Sequence, residues 1–445
     1  MKVKLSFIFL LCLSSCSYSR QQLGSMLMSP YLQAVTTGSV YVLVESSSAD
    51  PVTVEYGPTT AYGKSARTES VESTTNSTYV HNVKLSGLES NTVYHYRALQ
   101  QRSASADASF RTAVPPGTNF RFAWMADCRT GTTVHDSISL RIIEAKPAMA
   151  LYGGDLCISS SYGAFKSQFF RPNQLAESGR IPFFNAPGNH EGWSTNTKAF
   201  TQAPASLSGT QDYHSFDYGD MHVLVLNTQL DYDEGSPQYL FAQSDLSTTK
   251  RVWKIVIAHK PAYCAGGHGE DDDGKTMTTK IFEPNHVDMV IAGHSHFYQH
   301  NLVNGIHHMI IGTAGAPSHS PSTASYTLKS IEDYNYAIVD VSPASFKMVV
   351  YNDRGAVLDS LTLTKPAKVE STKPGPPEGY LLPQDYPATG FRLAVRTGHH
   401  PANGLDPALA DKEGSYTKDG NDDTGNETRG FETVAGHSRH RQEHC

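Results

Sequence analysis

Basic residues are in the minority in this chain: 36 Lys and Arg face 43 Asp and Glu, a formal net charge of −7. Without a basic excess no face is marked out for nucleic acid, and none is expected as a partner. Long apolar runs are missing as well. Beyond the N-terminal leader no stretch of eighteen apolar residues occurs, so no membrane-spanning helix is expected. Cysteine is scarce, with six in 445 residues. Two of them, Cys12 and Cys16, sit in the leader. The others, Cys128, Cys157, Cys264 and Cys445, are too few for a disulfide scaffold. Cys128 and Cys157 each adjoin a polar motif, and a bridge between them stays open. At 39% hydrophobic and 18% charged, a chain this long has the material for two ordinary cores.

The first sixteen residues, MKVKLSFIFLLCLSSC, have the layout of a targeting segment. Lys2 and Lys4 precede an apolar stretch, Leu5 to Leu13, too short to span a bilayer. It closes on LSSC, which resembles the bacterial lipobox. The resemblance implies cleavage before Cys16 and lipidation there, with membrane contact only through that anchor, facing the periplasm or cell surface. The alternative is a secretory signal cut near Ser15. Export follows from both.

Three regions succeed one another. Residues 26–113 read as all-β: SVYVLVES, VTVEYG, YVHNVKLSGL, TVYHYRAL and ASFRT are short alternating segments between Gly, Asn and Ser clusters. VPPGTN, 114–119, is a Pro/Gly linker. From 119 to 365 strands alternate with helical stretches, an α/β layered pattern. HDSISLRIIEA, YGAFKSQFF and QYLFAQSDL carry helical spacing, YHSFDYGDMHVLVLNT reads as a hairpin around Gly219-Asp220, and DRGAVLDSLTL as a closing strand. From 366 to 445 the chain is Pro-rich, then polar, with too little apolar surface to offset its ordering entropy, and disorder is expected. The histidines there, His399, His400, His437 and His440, fall outside any patterned segment.

Polar residues recur at strand ends. Apolar runs terminate in MADCR (Asp127), YGGDL (Asp155), APGNHE (Asn189, His190, Glu191), VIAHKP (His259) and VIAGHSH (His294, His296). In open α/β sheets the carboxyl ends of strands are where ligands bind. One such cluster alone is more often a cap or a turn; five in series are not. Asp, Asn and His without Cys suit Fe, Zn or Mn.

In order and content this series resembles the calcineurin-like metallophosphoesterases, and among them the purple acid phosphatase branch. SPYLQ and GLESNTVYHYR in the β-region resemble the fibronectin type III-like domain that precedes the catalytic domain there. The implied fold is an N-terminal β-sandwich followed by a layered β-sandwich flanked by helices. By resemblance, Asp155 would bridge two metal ions, Asp127 and His296 would complete the first, and Asn189, His259 and His294 the second. His294 and His296, if extended, would point the same way. The implied activity is hydrolysis of small phosphate monoesters by a metal-bound hydroxide. A phosphodiesterase or nucleotide-cleaving enzyme on the same site is the alternative, and a non-catalytic surface binder a third reading. His190 would bind phosphate or protonate the leaving oxygen. His268, in the Gly-rich loop after His259, would face the substrate or be a surface histidine.

Two positions break the pattern. The family's purple members carry a Tyr three residues after the bridging Asp, where this chain has Ile158. Iron-loaded protein is therefore expected to lack a visible tyrosinate-to-iron band. Other branches carry a His two residues after the first Asp, where this chain has Arg129. Its guanidinium would bind a phosphoryl oxygen or form a surface ion pair. EDDDG, 270–274, reads as a solvated acidic turn. The metal pair and the oligomeric state are not encoded in any of these motifs.

Overall fold

The structure, a computed structural model, describes residues 25–366. The leader expected at 1–16 and, but for Pro366, the tail expected at 366–445 lie outside the described residues.

Two large sheets stack face to face. The first has ten strands in the order Val357–Thr364, Ser345–Tyr351, Tyr336–Val341, Phe120–Met125, Met149–Tyr152, Phe183–Asn185, Tyr31–Gln33, Ser39–Ser46, Tyr79–Ser86, Ser70–Ser73. The second has seven, in the order His214–Tyr218, Met221–Val225, Trp253–Ile257, Met289–Ala292, Ile306–Ile311, Tyr298–Val303, Thr327–Ile331. At the centre of each, neighbours run parallel: Phe120–Met125 beside Met149–Tyr152 and Phe183–Asn185, and Met221–Val225 beside Trp253–Ile257, Met289–Ala292 and Ile306–Ile311. These strands are mostly apolar on both faces, as burial between a second sheet and a helix layer demands, with polar side chains such as Arg121 and Lys254 near their starts. Trp124 crosses between the sheets, its indole N–H donating to the Ile311 carbonyl at 3.0 Å. Phe184 and Phe216 stack across the same interface at 3.8 Å. Outside the first sheet lie helices Thr132–Ala145 and Pro172–Ser178; outside the second lie Pro237–Thr248 and Asp272–Met277.

The chain expected as a helix at YGAFKSQFF is one α turn, Tyr162–Ala164, that widens into a π-helix, Phe165–Phe169. EDDDG is not a bare turn. Asp271 caps the helix Asp272–Met277, accepting from the Gly274 N–H at 2.8 Å, and Asp272 and Asp273 fill its first turn, where negative charge is favoured.

The N-terminal β-region divides. Thr53–Gly57, Lys64–Arg67, Val93–Gln100, Ser103–Ala104 and Ala108–Arg111 form a separate small sheet. The other N-terminal strands extend the first large sheet: Tyr31–Gln33 lies parallel to Phe183–Asn185, with Gln33 opposite Phe183. The seam is well tied. Tyr31 donates its hydroxyl to the Phe200 carbonyl at 3.0 Å, Tyr96 to that of Gly179 at 2.7 Å, and Lys166 pairs with buried Glu45 at 2.6 Å. One apolar cluster holds Val42, Val83 and Phe110 together with Trp124, Val225 and Ile257.

An ion triad centred on buried His222 fastens the far edge of the second sheet. His222 reaches Asp217 at 2.8 Å through Nδ1 and Asp245 at 2.7 Å through Nε2. Burial opposes its charge, but the two carboxylates outweigh it and raise the imidazolium from 6.5 to about 9. A folded-state value above the unfolded one stabilises the fold fully below pH 6.5, and that contribution vanishes as pH rises through 9. The shift corresponds to roughly 3 kcal/mol. The urea midpoint of the wild type is thus expected to fall between those limits, and His222→Gln to flatten that slope; an unchanged slope in the variant would remove the triad as its cause.

Candidate metal centre

Each of the expected ligands lies just beyond a parallel strand, at the carboxyl-end rim shared by the two sheets. Asp127, Asp155 and His294 all have left-handed backbones, with φ of 55°, 52° and 69°. This conformation is uncommon outside glycine but tolerated best by Asp, Asn and His. Here it turns the chain sharply off the strand and aims the side chain into the cleft. The glycines of the motifs clear the space. A Cβ on Gly293 would fall inside the contact distance of Asp127 Oδ2, and one on Gly188 would collide with Asp155.

Hydrogen bonds fix which ring nitrogen each histidine offers. His259 Nδ1 donates to the Gly153 carbonyl at 2.7 Å, so in the neutral ring Nε2 carries the lone pair. That nitrogen faces Asn189 Oδ1 at 2.9 Å, His294 Nδ1 at 3.1 Å and Asp155 Oδ1 at 3.4 Å. His296 Nδ1 donates to the Pro317 carbonyl at 2.7 Å, and its Nε2 faces Asp127 Oδ1 at 3.4 Å. Carbonyl partners of this kind are what orient histidines toward a metal. Asp127 Oδ1 is buried and has no hydrogen-bond partner. Donor atoms of Asp127, Asp155 and His296 all fall within 4.8 Å of one another. Lone pairs that converge with too few protons between them call for a cation, and the Asp/Asn/His set fits a dinuclear metal centre.

The electrostatics agree. Burial drives the Asp127 carboxyl well above the usual range, and the nearby Asp155 adds to it. Burial also works against Asp155, but His259, His190 and the His190 backbone N–H outweigh it and hold this carboxyl below the usual range. Burial lowers His294, and it lowers His296 to about 4 with help from Arg129. Both rings therefore stay neutral at physiological pH, as metal ligation requires.

His294 and His296 converge for a different reason from the one expected. The segment is not extended. Ser295 and Phe297 donate their N–H groups two residues back, to Gly293 and Ser295, in a tight double bend. That bend sends His294 to the His259 side and His296 to the Asp127 side.

The remaining expected residues line the cleft. His190 Nδ1 donates to the Ile158 carbonyl at 2.9 Å, leaving Nε2 3.7 Å from Asp155 Oδ2. Position 158 thus acts through its backbone, while its side chain is 37% exposed and carries no donor atom. Arg129 is turned inward, its side chain only 12% exposed, with Nε 3.4 Å from Asp155 Oδ2. His268 lies at the cleft mouth, stacked on His294 with ring centroids 4.2 Å apart. Cys128, Cys157 and Cys264 are free buried thiols, so the bridge left open between the first two is absent. Cys128 packs in the apolar cluster under helix Thr132–Ala145, away from the cleft.

One cleft residue was not anticipated. His319 stacks on His296 at 3.9 Å and meets the His268 ring edge-on at 4.9 Å. Its Nδ1 accepts from the His296 N–H at 3.2 Å, which puts the proton of the neutral ring on Nε2. The signal available was positional: His319 follows the strand Ile306–Ile311 beyond its Gly-rich exit, as the expected ligands follow theirs.

Residues 133–298 match the calcineurin-like phosphoesterase family. The chain is 30% identical over 269 residues to purple acid phosphatase 21 of Arabidopsis thaliana, covering 55% of this chain and 60% of that protein. It is 23% identical over 355 residues to probable inactive purple acid phosphatase 1 of the same plant, covering 64% and 58%. Among solved structures, purple acid phosphatase PPD1 from yellow lupin (Lupinus luteus) seeds superposes with a TM-score of 0.66 at 19% identity, over 75% of this chain and 74% of that one. The chain thus carries a calcineurin-like phosphoesterase domain in a purple acid phosphatase-like fold. Its sequence is similar to those of the purple acid phosphatases, and it spans between about two-fifths and two-thirds of the length of the curated relatives it matches.

Proposed function

We propose that this protein is an exported phosphoesterase that uses a dinuclear metal centre to hydrolyse small phosphate monoesters. One observation carries the reading: two carboxylates, an asparagine and three histidines, contributed by five strand ends, converge on one rim, with Asp127 Oδ1 buried and unpartnered and the acceptor atoms of Asn189, His259 and His294 crowded together. Asp127, Asp155 and His296 would hold one ion; Asn189, His259 and His294, with Asp155, the other. Bound there, two metal ions supply an acidified water and neutralise phosphoryl oxygens.

The chain's own side chains do the rest. His190 keeps one ring proton on the Ile158 carbonyl, so its Nε2 is free to carry a second proton to the departing oxygen. Arg129 offers a planar, permanently charged donor pair to a phosphoryl oxygen. His268 and the Nε2–H of His319 close the mouth of the cleft as further donors. Export and an anchor at Cys16 rest on the leader residues alone, with secretion as the alternative.

The test is metal-reconstituted protein on an aryl phosphate and an aryl phosphodiester. Turnover of the monoester that disappears on chelation supports the reading; turnover of neither ester by metal-loaded protein overturns it. Proton donation by His190 has its own signature. His190→Ala is expected to lower kcat about 10²–10⁴-fold on an alkyl phosphate, whose leaving oxygen needs a proton. The loss should be much smaller on a nitrophenyl phosphate, and equal losses on both would remove His190 from that role.

A further inference from the structure

We propose that Arg129 is a resident competitor for the metal centre, so that the two metal positions differ in affinity and the one at Asp127, Asp155 and His296 is the weaker. The inference rests on the metal-centre reading above and concerns how this chain's own cation shares the site.

The guanidinium lies on the ligand atoms themselves. Its Nε is 3.4 Å from Asp155 Oδ2 and its Nη2 is 3.4 Å from His296 Nε2. Since His296 Nδ1 is committed to the Pro317 carbonyl, Nε2 holds the only lone pair that ring can offer. Arg129 and a metal ion at this position therefore draw on the same two atoms. The backbone holds the arginine in place: Arg129 N–H donates to the Asp155 carbonyl at 3.3 Å, so residue 129 is tied to the carboxylate it faces. Arginine cannot relieve the conflict by losing a proton, because its charge persists at all relevant pH values.

The same position is short of ligands. Ile158 has no donor atom, and Cys128 is buried in the helix-side core. The other position is better furnished. Asn189 Oδ1, His294 Nδ1 and Asp155 Oδ1 all lie within 3.4 Å of His259 Nε2, which makes four ligand atoms in all. Among the described residues no guanidinium or ammonium hydrogen-bonds to these four atoms. One position thus has four ligands without a cation on them, and the other has three ligands with a cation on two.

The experiment is a zinc titration of the metal-free full-length chain, by calorimetry and by counting metal retained after gel filtration. Wild type is expected to keep one zinc tightly and bind a second more weakly by roughly tenfold or more. Arg129→Gln, which removes the charge and keeps a polar side chain, is expected to narrow that gap several-fold, leaving the part due to the missing ligand. Arg129→Lys, which keeps the charge, is expected to preserve most of it, and this separates charge from packing. Circular dichroism and the melting point of each metal-free variant identify a folding defect independently of stoichiometry. Two equally tight zincs in the wild type, or a gap of unchanged size in Arg129→Gln, would overturn the proposal while leaving the metal centre standing. No zinc held by any of the three would overturn the metal-centre reading itself.

Discussion

Asp155→Asn is expected to lower the proposed phosphomonoester hydrolysis by on the order of 10³-fold or more and to abolish tight metal binding, yet leave the protein folded. Asp155 is the carboxylate that faces both halves of the site. Its Oδ1 points to His259 and its Oδ2 to Arg129, while Asp127 and His296 lie in the same donor cluster. Asparagine keeps one oxygen and the size, and so keeps the acceptor that the His190 N–H uses at 3.0 Å. What it lacks is the negative charge and the second oxygen, which no neighbour can replace. A ligand that binds only the folded state adds about 2.7 kcal/mol at a hundredfold excess over its Kd. Adding zinc should therefore raise the wild-type melting temperature by several degrees and leave that of the variant almost unmoved. The metal-free melting points should differ far less than the activities do. Retention of metal and of more than about a tenth of the activity would mean that Asp155 is no bridge.

The legible part of this site was the part that depends on sheet architecture. Buried parallel strands are predominantly apolar toward their carboxyl ends, so a cluster of polar residues marks where the strand stops, and that is the rim where the chains converge. Asp127, Asp155, Asn189, His259, His294 and His296 could all be placed by that rule. Backbone conformation could not. The left-handed turns at Asp127, Asp155 and His294 are set by tertiary neighbours such as Gly188 and Gly293, which lie far away in sequence from the carboxylates they accommodate. Arg129 was ambiguous for the same reason, because only the backbone tie to Asp155 turns it inward. His319 escaped notice in a Ser/Pro-rich loop with no motif around it. The join between the N-terminal strands and the first large sheet was illegible too. It is made by three residues, Tyr31–Gln33, pairing with a strand about 150 positions later, and such pairings leave no local pattern.

That join leads to the second large effect: a fragment comprising residues 114–366 is expected not to fold cooperatively. Removing 25–113 deletes four strands of the ten-stranded sheet and leaves Phe183–Asn185, a buried parallel strand, as a bare edge. It also uncovers aromatic surface. Tyr31 is fully buried, packed on Phe170 at 5.0 Å and on Phe183 at 6.0 Å between ring centroids. Loop contacts near the cleft go as well. Thr75 donates its N–H to Asn196 Oδ1 at 2.9 Å, and Asn196 Nδ2 in turn donates to the Ser160 carbonyl at 2.8 Å, steadying the segment that carries Ile158 and thereby His190. Within the intact chain, Tyr31→Ala alone should cost about 3–5 kcal/mol, the usual range for emptying a buried aromatic site. Asn196→Ala should cost less, about 1–3 kcal/mol for its buried hydrogen bonds, but lower kcat, because it loosens the support of His190, the proposed proton donor. Near-UV circular dichroism and a denaturant titration of the fragment decide the matter. A sharp two-state transition with metal binding intact would mean that the α/β layers stand alone and that the shared sheet is an embellishment. A broad, weak transition with far-UV signal retained would mean that the N-terminal strands are structural members of the catalytic fold.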